Sequence, residues 1–148
     1  MTTHTLTLQR VLRTPPEKVY RAFLDAQALT KWLPPFGFTA NVEQLDARVG
    51  GSYRMAFTNL TSGQRHAFHG EYLELVPHSR IRYTDQFDDP SLPGTLQTTV
   101  CLTAVFCGTE LQILQKGIPA AIPLQACLLG WQESLIQLAQ LVEPDITD

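Results

Sequence analysis

The fold of this chain is decided by its C-terminal residues 124–142, which read LQACLLGWQESLIQLAQLV. Large apolar side chains recur there at spacings of three and four, which is the period of an α-helix with one apolar stripe. The members of the stripe are Leu124, Leu128, Trp131, Leu135, Leu138 and Val142. Pro119 and Pro123 precede the segment, where a proline is compatible with a helix start. We therefore predict a long C-terminal helix with one buried face.

The residues before this helix predict strands. Between Phe38 and Lys116 the signals are mostly strand-like, and from Tyr53 to Thr58 apolar and polar side chains alternate clearly. Alternation with a period of two is typical of a strand that buries one face. Gly50-Gly51 and Thr61–Gln64 read as turns between such strands.

A hairpin turn is predicted at Cys107-Gly108, near the end of the strand region. With this turn, Leu102 would lie opposite Ile113, and Val100 would lie opposite Gln115. The apolar side chains of both strands then collect on one face, and the polar side chains collect on the other. A slip by one residue would mix the two faces, so the pattern favours this assignment of faces.

Two short helices are predicted after the first strand. Thr5 to Leu12 alternates weakly and reads as that strand, and the sequence Thr14-Pro15-Pro16-Glu17 is typical of a helix start with a capping threonine. Asp25 can cap a second short helix, which Pro34-Pro35 would end just after Trp32. Strands with two early helices and one late helix make an α+β fold.

Four motifs resemble those of the START-like helix-grip domains, the SRPBCC superfamily. They are Trp32-Leu33-Pro34, residues 49–55 (VGGSYRM), residues 70–75 (GEYLEL) and residues 130–135 (GWQESL). The chain is most similar to the branch named for the activator of the ninety-kilodalton heat-shock protein's ATPase. The resemblance implies a single domain over residues 1–148, in which a curved antiparallel sheet of six or seven strands wraps around the long helix.

This resemblance also implies a cavity between the helix and the concave face of the sheet. The apolar candidates for its lining are Tyr53, Met55, Phe57, Phe68, Tyr83, Phe87, Leu102 and Ile113 on the sheet and Leu128, Trp131 and Leu135 on the helix. By analogy with the family, Trp32 and Phe36 would lie near the mouth. The polar candidates are Asp85, Gln115 and the tyrosine hydroxyls. A buried carboxylate at Asp85 would need a partner, for which Arg54 or Arg82 are candidates.

Such a lining points to a binding site, since ligand pockets are mostly apolar with a few placed polar groups. The leading hypothesis is a module that binds a small apolar molecule, with no catalytic residue and no cofactor. A fully packed core built from the same side chains is the alternative. The superfamily also contains chaperone partners, cyclases and hydrolases, so fold alone does not decide function.

Two further functions are therefore kept open. The first is a chaperone-associated interaction module of the heat-shock ATPase activator type. The second is a cyclase- or hydrolase-like enzyme that would use Asp85, His69 or Tyr83 as its acid–base group. No pair of groups with matched roles is evident in the sequence, which disfavours the enzyme.

A metal site is not predicted. His66, His69 and Glu71 resemble a ligand cluster, but residues 66 and 69 of a strand point to opposite faces. Only His69 and Glu71 share a side, and a zinc site needs at least three protein ligands. Asp88 and Asp89 precede a proline and are typical of a turn.

Composition and charge disfavour several classes of function. A chain of 148 residues with a net charge of −3 and no run of lysine or arginine lacks the basic patch typical of nucleic-acid binding. No apolar stretch reaches the roughly 20 residues that span a bilayer, and Met1 to Thr5 do not resemble a secretory signal. Cys101, Cys107 and Cys127 form no CxxC pair and are expected to be reduced. We therefore expect a cytoplasmic protein without a membrane partner, as a monomer or a homodimer.

Overall fold

The computed structural model describes residues 3–148, so Met1 and Thr2 of the predicted domain lie outside the described residues. The order of elements is that of the predicted α+β fold, with two short helices after the first strand and a long helix at the end. The elements are β1 (Thr3–Leu12), α1 (Pro16–Leu24), α2 (Ala26–Trp32), β2 (Phe38–Leu45), β3 (Ser52–Asn59), β4 (Arg65–Val76), β5 (Arg80–Phe87), β6 (Leu96–Val105), β7 (Gly108–Pro119) and α3 (Leu124–Val142).

The described strands form one curved sheet of seven strands in the order β1-β7-β6-β5-β4-β3-β2, which agrees with the upper of the two strand counts predicted. Every neighbouring pair is antiparallel. Helix α3 contacts β1, and α2 contacts both α3 and β2, so the three helices cover one face of the sheet. None of the helices among residues 3–148 is long and apolar enough to cross a membrane.

The hairpin between β6 and β7 turns one position earlier than predicted. Val105 pairs with Gly108, so the turn consists of Phe106 and Cys107, and Leu102 lies opposite Leu111 rather than Ile113. Each cross-strand partner is therefore displaced by two residues from the predicted register. A displacement by two leaves every side chain on its predicted face, because the side-chain period of a strand is also two.

The two early helices begin differently. The carboxylate of Asp25 accepts a hydrogen bond from the backbone N–H of Ala28 at 3.0 Å, which confirms the predicted cap of α2. The prediction that Thr14 caps α1 is wrong, because Pro15 holds the N-cap position and no side chain caps that end. Thr14 is buried instead, and its carbonyl accepts a hydrogen bond from the hydroxyl of Thr109 at 2.7 Å.

The two halves of α3 pack in different ways. In the C-terminal half, Leu135, Leu138, Ala139 and Val142 are buried in the main hydrophobic core. In the N-terminal half, none of the apolar side chains is fully buried, and Leu129 is 56% exposed. We call the part of the molecule around Leu135–Val142 the closed half and the part around Leu124–Ser134 the open half. A second, smaller buried cluster of Leu6, Leu96 and Ile118 packs against Cys127 and Trp131 of the open half.

Candidate functional site

A cavity of about 260 Å³ lies between the concave face of the sheet and the open half of α3. Its walls come from four parts of the chain and are mainly apolar. The lining consists of Phe23, Leu29, Leu33 and Pro35 from the early helices and the loop after them, Tyr53, Met55, Phe57, His66, Phe68, Tyr72, Tyr83, Asp85, Phe87, Leu96, Gln115 and Ile118 from the sheet, Ile122, and Ala126, Cys127, Gly130, Trp131 and Ser134 from α3.

The structure brings most of the predicted site residues together at this cavity. Those that line it are Tyr53, Met55, Phe57, Phe68, Tyr83, Asp85, Phe87, Gln115 and Trp131. They come from strands β3, β4, β5 and β7 and from α3, so residues up to 78 positions apart in sequence, from 53 to 131, share one space. The mostly apolar lining with few polar groups is the composition of known ligand pockets.

The remaining predicted residues do not line the cavity. Leu102, Ile113 and Leu135 are buried in the closed core, where neighbouring side chains fill the space around them. Leu128 is half-buried on a part of the α3 surface that the cavity does not reach. The prediction that these four residues contribute to a ligand site is therefore corrected. Leu102, Ile113 and Leu135 belong to the filled core, and Leu128 lies on a face of α3 that is turned away from the cavity.

The two residues predicted at the mouth are also placed elsewhere. Trp32 is fully buried, and its indole N–H donates to the carbonyl of Ala22 at 2.9 Å. Phe36 is 51% exposed, and its backbone N–H donates to the Glu133 carboxylate at 3.2 Å. Their neighbours Leu33 and Pro35 line the cavity instead of the two residues named from the resemblance.

The residues of α3 that create the cavity are small ones that the sequence reasoning missed. Ala126, Gly130 and Ser134 follow one another at a spacing of four, which places them on one face of the helix beside Cys127. A Cβ atom added at Gly130 would meet no atom within 4 Å. Glycine in the middle of a helix destabilises it by roughly 0.5–1 kcal/mol relative to alanine, so its presence in the apolar segment was the available signal.

Tyr72 was missed for a different reason. A register shift between Tyr72 and Glu74 interrupts the regular alternation of β4, so counting residues along the strand does not give the facing of Tyr72. Tyr72 pairs with Tyr83 across β4 and β5, so the two rings share the concave face with a centroid separation of 6.3 Å. Only the pairing of the two strands identifies Tyr72 as a lining residue.

The polar groups of the cavity form one connected network. The indole N–H of Trp131 donates to the side-chain carbonyl of Gln115 at 3.1 Å, and the amide of Gln115 donates to the hydroxyl oxygen of Thr98 at 3.0 Å. Thr98 in turn hydrogen-bonds the carboxyl of Asp85. The Tyr53 hydroxyl contacts the same carboxyl and also lies 2.6 Å from the carbonyl of Thr84. Asp85 is therefore held from two sides.

Gly70 is what permits Tyr53 to take this position. The two residues are paired across β3 and β4, and the ring of Tyr53 lies over the glycine. A Cβ atom at residue 70 would overlap the carbonyl of Thr84 and lie 2.8 Å from the Cε2 atom of Tyr53. Because glycine has no Cβ atom, the ring of Tyr53 can lie over residue 70 and place its hydroxyl beside Asp85.

Burial changes the acidity of the groups in the cavity. Loss of hydration raises the pKa of Asp85 to about 7, and its hydrogen bond with Thr98 opposes the rise only in part. Burial likewise raises the pKa of Tyr83 to about 12 and raises the pKa of Tyr72, to which the neighbouring Tyr83 adds. Both tyrosines therefore stay protonated at neutral pH, while Asp85 is divided between its two forms.

The predicted arginine partners of Asp85 are engaged elsewhere. Arg54 forms an ion pair with Asp88 at 2.7 Å, and Arg82 lies 3.6 Å from the carboxylate of Glu74. Both arginines lie on the convex face of the sheet. Successive side chains of a strand point to opposite faces, and the residues adjacent in sequence, Tyr53 and Met55 beside Arg54 and Tyr83 beside Arg82, line the cavity. The expectation that either would pair with Asp85 is corrected by this alternation.

His69 also lies on the convex face, 3.0 Å from the Asp88 carboxylate. It cannot act in the cavity together with Asp85 or Tyr83, since the sheet separates them. Asp89 accepts hydrogen bonds from the backbone N–H and hydroxyl of Ser91, as expected for a turn. Within residues 3–148, no three His, Cys, Asp or Glu side chains are grouped as a metal site would require.

The family comparison covers nearly the whole chain. The model of the family described as Activator of Hsp90 ATPase homolog 1-like protein matches residues 13–143. A crystal structure of a protein from Chromobacterium violaceum is 62% identical, with a TM-score of 0.94, and the match covers 95% of this chain and 98% of that chain. No curated protein gives a match.

More distant structures share the architecture. A protein from Rhizobium leguminosarum is 25% identical, with a TM-score of 0.78 over 96% of this chain and 95% of that chain. The AHSA1 protein from Silicibacter pomeroyi is 22% identical, with a TM-score of 0.81 over 93% of this chain and 96% of that chain. At that level of identity the second likeness establishes the fold alone.

Proposed function

We propose that this chain, which belongs to the family of Activator of Hsp90 ATPase homolog 1-like proteins within the SRPBCC helix-grip superfamily, binds a small apolar molecule between its sheet and the open half of α3. The observation that carries the proposal is the cavity of about 260 Å³ and its aromatic lining. Small side chains on α3 leave this space open, whereas large ones fill the equivalent space in the closed half.

The volume of the cavity limits the size of the ligand that it can hold. An engineered protein cavity of about 150 Å³ is large enough for benzene, and typical pockets for drug-sized ligands begin at about 300 Å³. A volume of about 260 Å³ therefore suits one aromatic ring with a short substituent, or an aliphatic group of similar size. The rings of Phe57 and Phe68, whose centroids are 5.0 Å apart, form part of the apolar wall for such a group.

The test is a titration with ethylbenzene, followed by the NMR signals of the Trp131 indole N–H and the backbone N–H of Gly130. Both residues line the cavity, so a ligand inside it should shift these signals in a saturable way. The variant Gly130→Phe should abolish the shift, because its side chain would extend into the open space beside residue 130. The matched control Gly130→Ala changes the helix at the same position but adds only one methyl group, and it should keep the binding.

Two results would contradict the proposal. One is a wild-type protein whose Trp131 and Gly130 signals do not respond to ethylbenzene. The other is a Gly130→Phe variant that is folded and binds ethylbenzene as the wild type does. Native mass spectrometry of protein purified without detergent adds an independent readout, since a retained natural ligand should appear as extra mass that denaturation releases.

A chaperone-associated role is the second proposal. It is supported by the family description, which refers to an activator of the Hsp90 ATPase. The aromatic ring of Phe106 adds a feature that a protein partner could contact, because it is fully exposed at the tip of the β6–β7 hairpin. In a pull-down from native cytoplasm we expect chaperone enrichment that Phe106→Ser reduces; no enrichment with the wild-type protein would count against this role.

We also propose a cytoplasmic location, which the free thiols of Cys101, Cys107 and Cys127 support, because paired cysteines are typical of oxidising compartments. An enzymatic function is not proposed. Asp85 and Tyr83 share the cavity, but acid–base catalysis of the expected kind needs two groups with opposite roles. Burial raises the pKa of the Cys127 thiol, which makes it a poor nucleophile as well.

A further inference from the structure

We propose that the ligand is a small apolar amine, and that its ammonium group binds to the carboxylate of Asp85. This inference rests on the proposed function, since it names the chemical class of the molecule that occupies the same cavity. Four features of the cavity support it: the hydrogen-bond donors beside Asp85, a lining without lysine or arginine among the described residues, the hydroxyl of Tyr72, and the grouped rings of Tyr53, Tyr72 and Tyr83.

The hydrogen-bond network prepares Asp85 as an acceptor. Gln115 donates to the hydroxyl oxygen of Thr98, so the proton of that hydroxyl is available for the carboxylate. Gln115 is itself held by the donor Trp131, which fixes the orientation of its amide. The Tyr53 hydroxyl contacts Asp85 as well, and its one proton has the carbonyl of Thr84 as an alternative acceptor. Hydrogen bonds donated to a carboxyl group favour its ionised form.

The missing component is a positive charge. The titratable groups that face the cavity are Tyr53 on β3, Tyr72 on β4, Tyr83 on β5 and Cys127 on α3, with His66 at the exposed end of β4. β6 and β7 contribute the neutral side chains of Thr98 and Gln115. No lysine or arginine belongs to the lining among the described residues. A buried carboxylate without a cationic partner is costly, and an ammonium group would supply that partner.

Tyr72 supplies a further hydroxyl oxygen in the cavity lining. The residue is only 4% exposed, and burial raises the pKa of its hydroxyl, so the group is neutral. The ring centroid of Tyr72 is 6.3 Å from that of Tyr83 and 5.8 Å from that of Tyr53. Three rings grouped in this way can stabilise a cation through their π faces, in addition to the hydroxyl oxygens that accept its N–H groups.

Other ligand head groups fit less well. A carboxylate would place a second negative charge beside Asp85, so that one of the two groups would have to take up a proton. An alcohol could hydrogen-bond with Asp85, but it would bring no charge to stabilise the ionised form. The cavity should therefore rank three molecules of equal size in the order amine, alcohol, carboxylate.

The protonation of Asp85 gives a further signature. Its pKa of about 7 means that part of the unliganded protein carries a proton on this carboxyl at neutral pH. An ammonium group binds the ionised form, so binding releases that proton to the solvent. Amine affinity should accordingly rise between pH 6 and pH 8, by up to about tenfold, while alcohol affinity stays nearly constant.

The experiment compares 2-phenylethylamine, 2-phenylethanol and phenylacetate, which share one ring and nearly the same length. Binding is measured by calorimetry at pH 8 and pH 6, with the Trp131 indole N–H as a second readout. We expect the amine to bind at least about tenfold more tightly than the alcohol at pH 8, and phenylacetate to bind most weakly. Asp85→Asn should remove the preference for the amine, so that the ratio of amine affinity to alcohol affinity falls from at least about tenfold to about one.

Each other outcome overturns the inference. Equal affinities for amine and alcohol, or an amine preference that persists in Asp85→Asn, would show that Asp85 does not bind an ammonium group. If ethylbenzene still shifts the Trp131 signal in that case, the apolar cavity function stands without the amine. If ethylbenzene and all three ring compounds fail to bind, both proposals fail. The variant Tyr72→Phe separates the acceptor role of the hydroxyl, since it should weaken amine binding more than alcohol binding.

Discussion

The closed and open halves of the molecule are built on the same helix and face the same sheet, yet only one of them is filled. In the closed half, α3 presents Leu135, Leu138 and Val142, each of which is almost completely buried. In the open half, the corresponding face presents Ala126, Gly130 and Ser134, which are too small to reach the aromatic rings of the sheet. A binding site therefore arises from reduced side-chain volume on one helix face, without any change in the backbone architecture.

The two halves differ in what they contribute to stability and to ligand binding. Side chains in the closed half have partners on all sides and gain the dispersion energy of close packing, whereas those that line a cavity lack partners on one side. The open half also contains the polar network around Asp85, whose carboxyl would be unfavourable in a tightly packed core. We expect the closed half to determine stability and the open half to determine ligand selectivity.

The largest effect should come from truncating the same residue type in each half. Leu138→Ala in the closed half should lower the free energy of unfolding by about 4 kcal/mol, because Leu138 has no exposed surface and its loss leaves a void. Leu128→Ala in the open half should lower it by only about 1 kcal/mol, since that side chain is half-buried. Urea denaturation measures both, and equal losses would show that the two halves are packed alike.

The second effect concerns Asp85 and pH. Its pKa is about 7 in the folded protein and near 3.8 when exposed, so the folded state binds the extra proton between these values. The stability of the wild type should therefore fall as pH rises from 4 to 7, by about 3 kcal/mol relative to Asp85→Asn. Urea denaturation of both proteins across this pH range is the test, and a constant difference in stability between them would contradict the raised pKa of Asp85.

Asp88 on the convex face is the matched control for this pH dependence. Its hydrogen bonds with Arg54 and His69 lower its pKa, so the stability it contributes is present above its unfolded pKa and is lost as pH falls. Relative to Asp88→Asn, the wild type should gain stability as pH rises through the acidic range. The two aspartates should thus show slopes of opposite sign in the same protein.

The smallest expected changes in stability come from alanine substitutions at two glycines of the open half, and they have opposite signs. Gly70→Ala should destabilise the protein by about 2 kcal/mol, since the new methyl group would collide with the carbonyl of Thr84 and the ring of Tyr53. Gly130→Ala should stabilise it by about 0.5–1 kcal/mol, because alanine favours the helix and its methyl group has free space. Thermal unfolding distinguishes the two signs; a loss of stability with Gly130→Ala would place that residue in a packed environment.

Much of the fold was predictable because it depends on local patterns. The spacing of apolar residues from Leu124 to Val142 predicted α3, and the alternation from Tyr53 to Thr58 predicted β3. The face of every residue around the β6–β7 hairpin was also correct, although the turn lies at Phe106-Cys107 and the register is displaced by two. A period of two determines the face of a side chain but does not distinguish registers that differ by two residues.

The sequence by itself determined the helix-grip architecture, the apolar character of the concave face and the candidates Tyr53, Tyr83 and Asp85, because residue periodicity and family motifs are properties of the chain. Only the tertiary structure decided where that face stays open. The period of α3 marks Leu128 and Leu135 alike as apolar, and it does not indicate that one lies outside the cavity and the other inside a filled core. Strand pairing and the packing of other elements on the sheet decide whether Asp85 forms an ion pair with an arginine. They also decide whether Tyr72 lies next to Tyr83 on the concave face. Those are relations between distant residues, and no local pattern contains them.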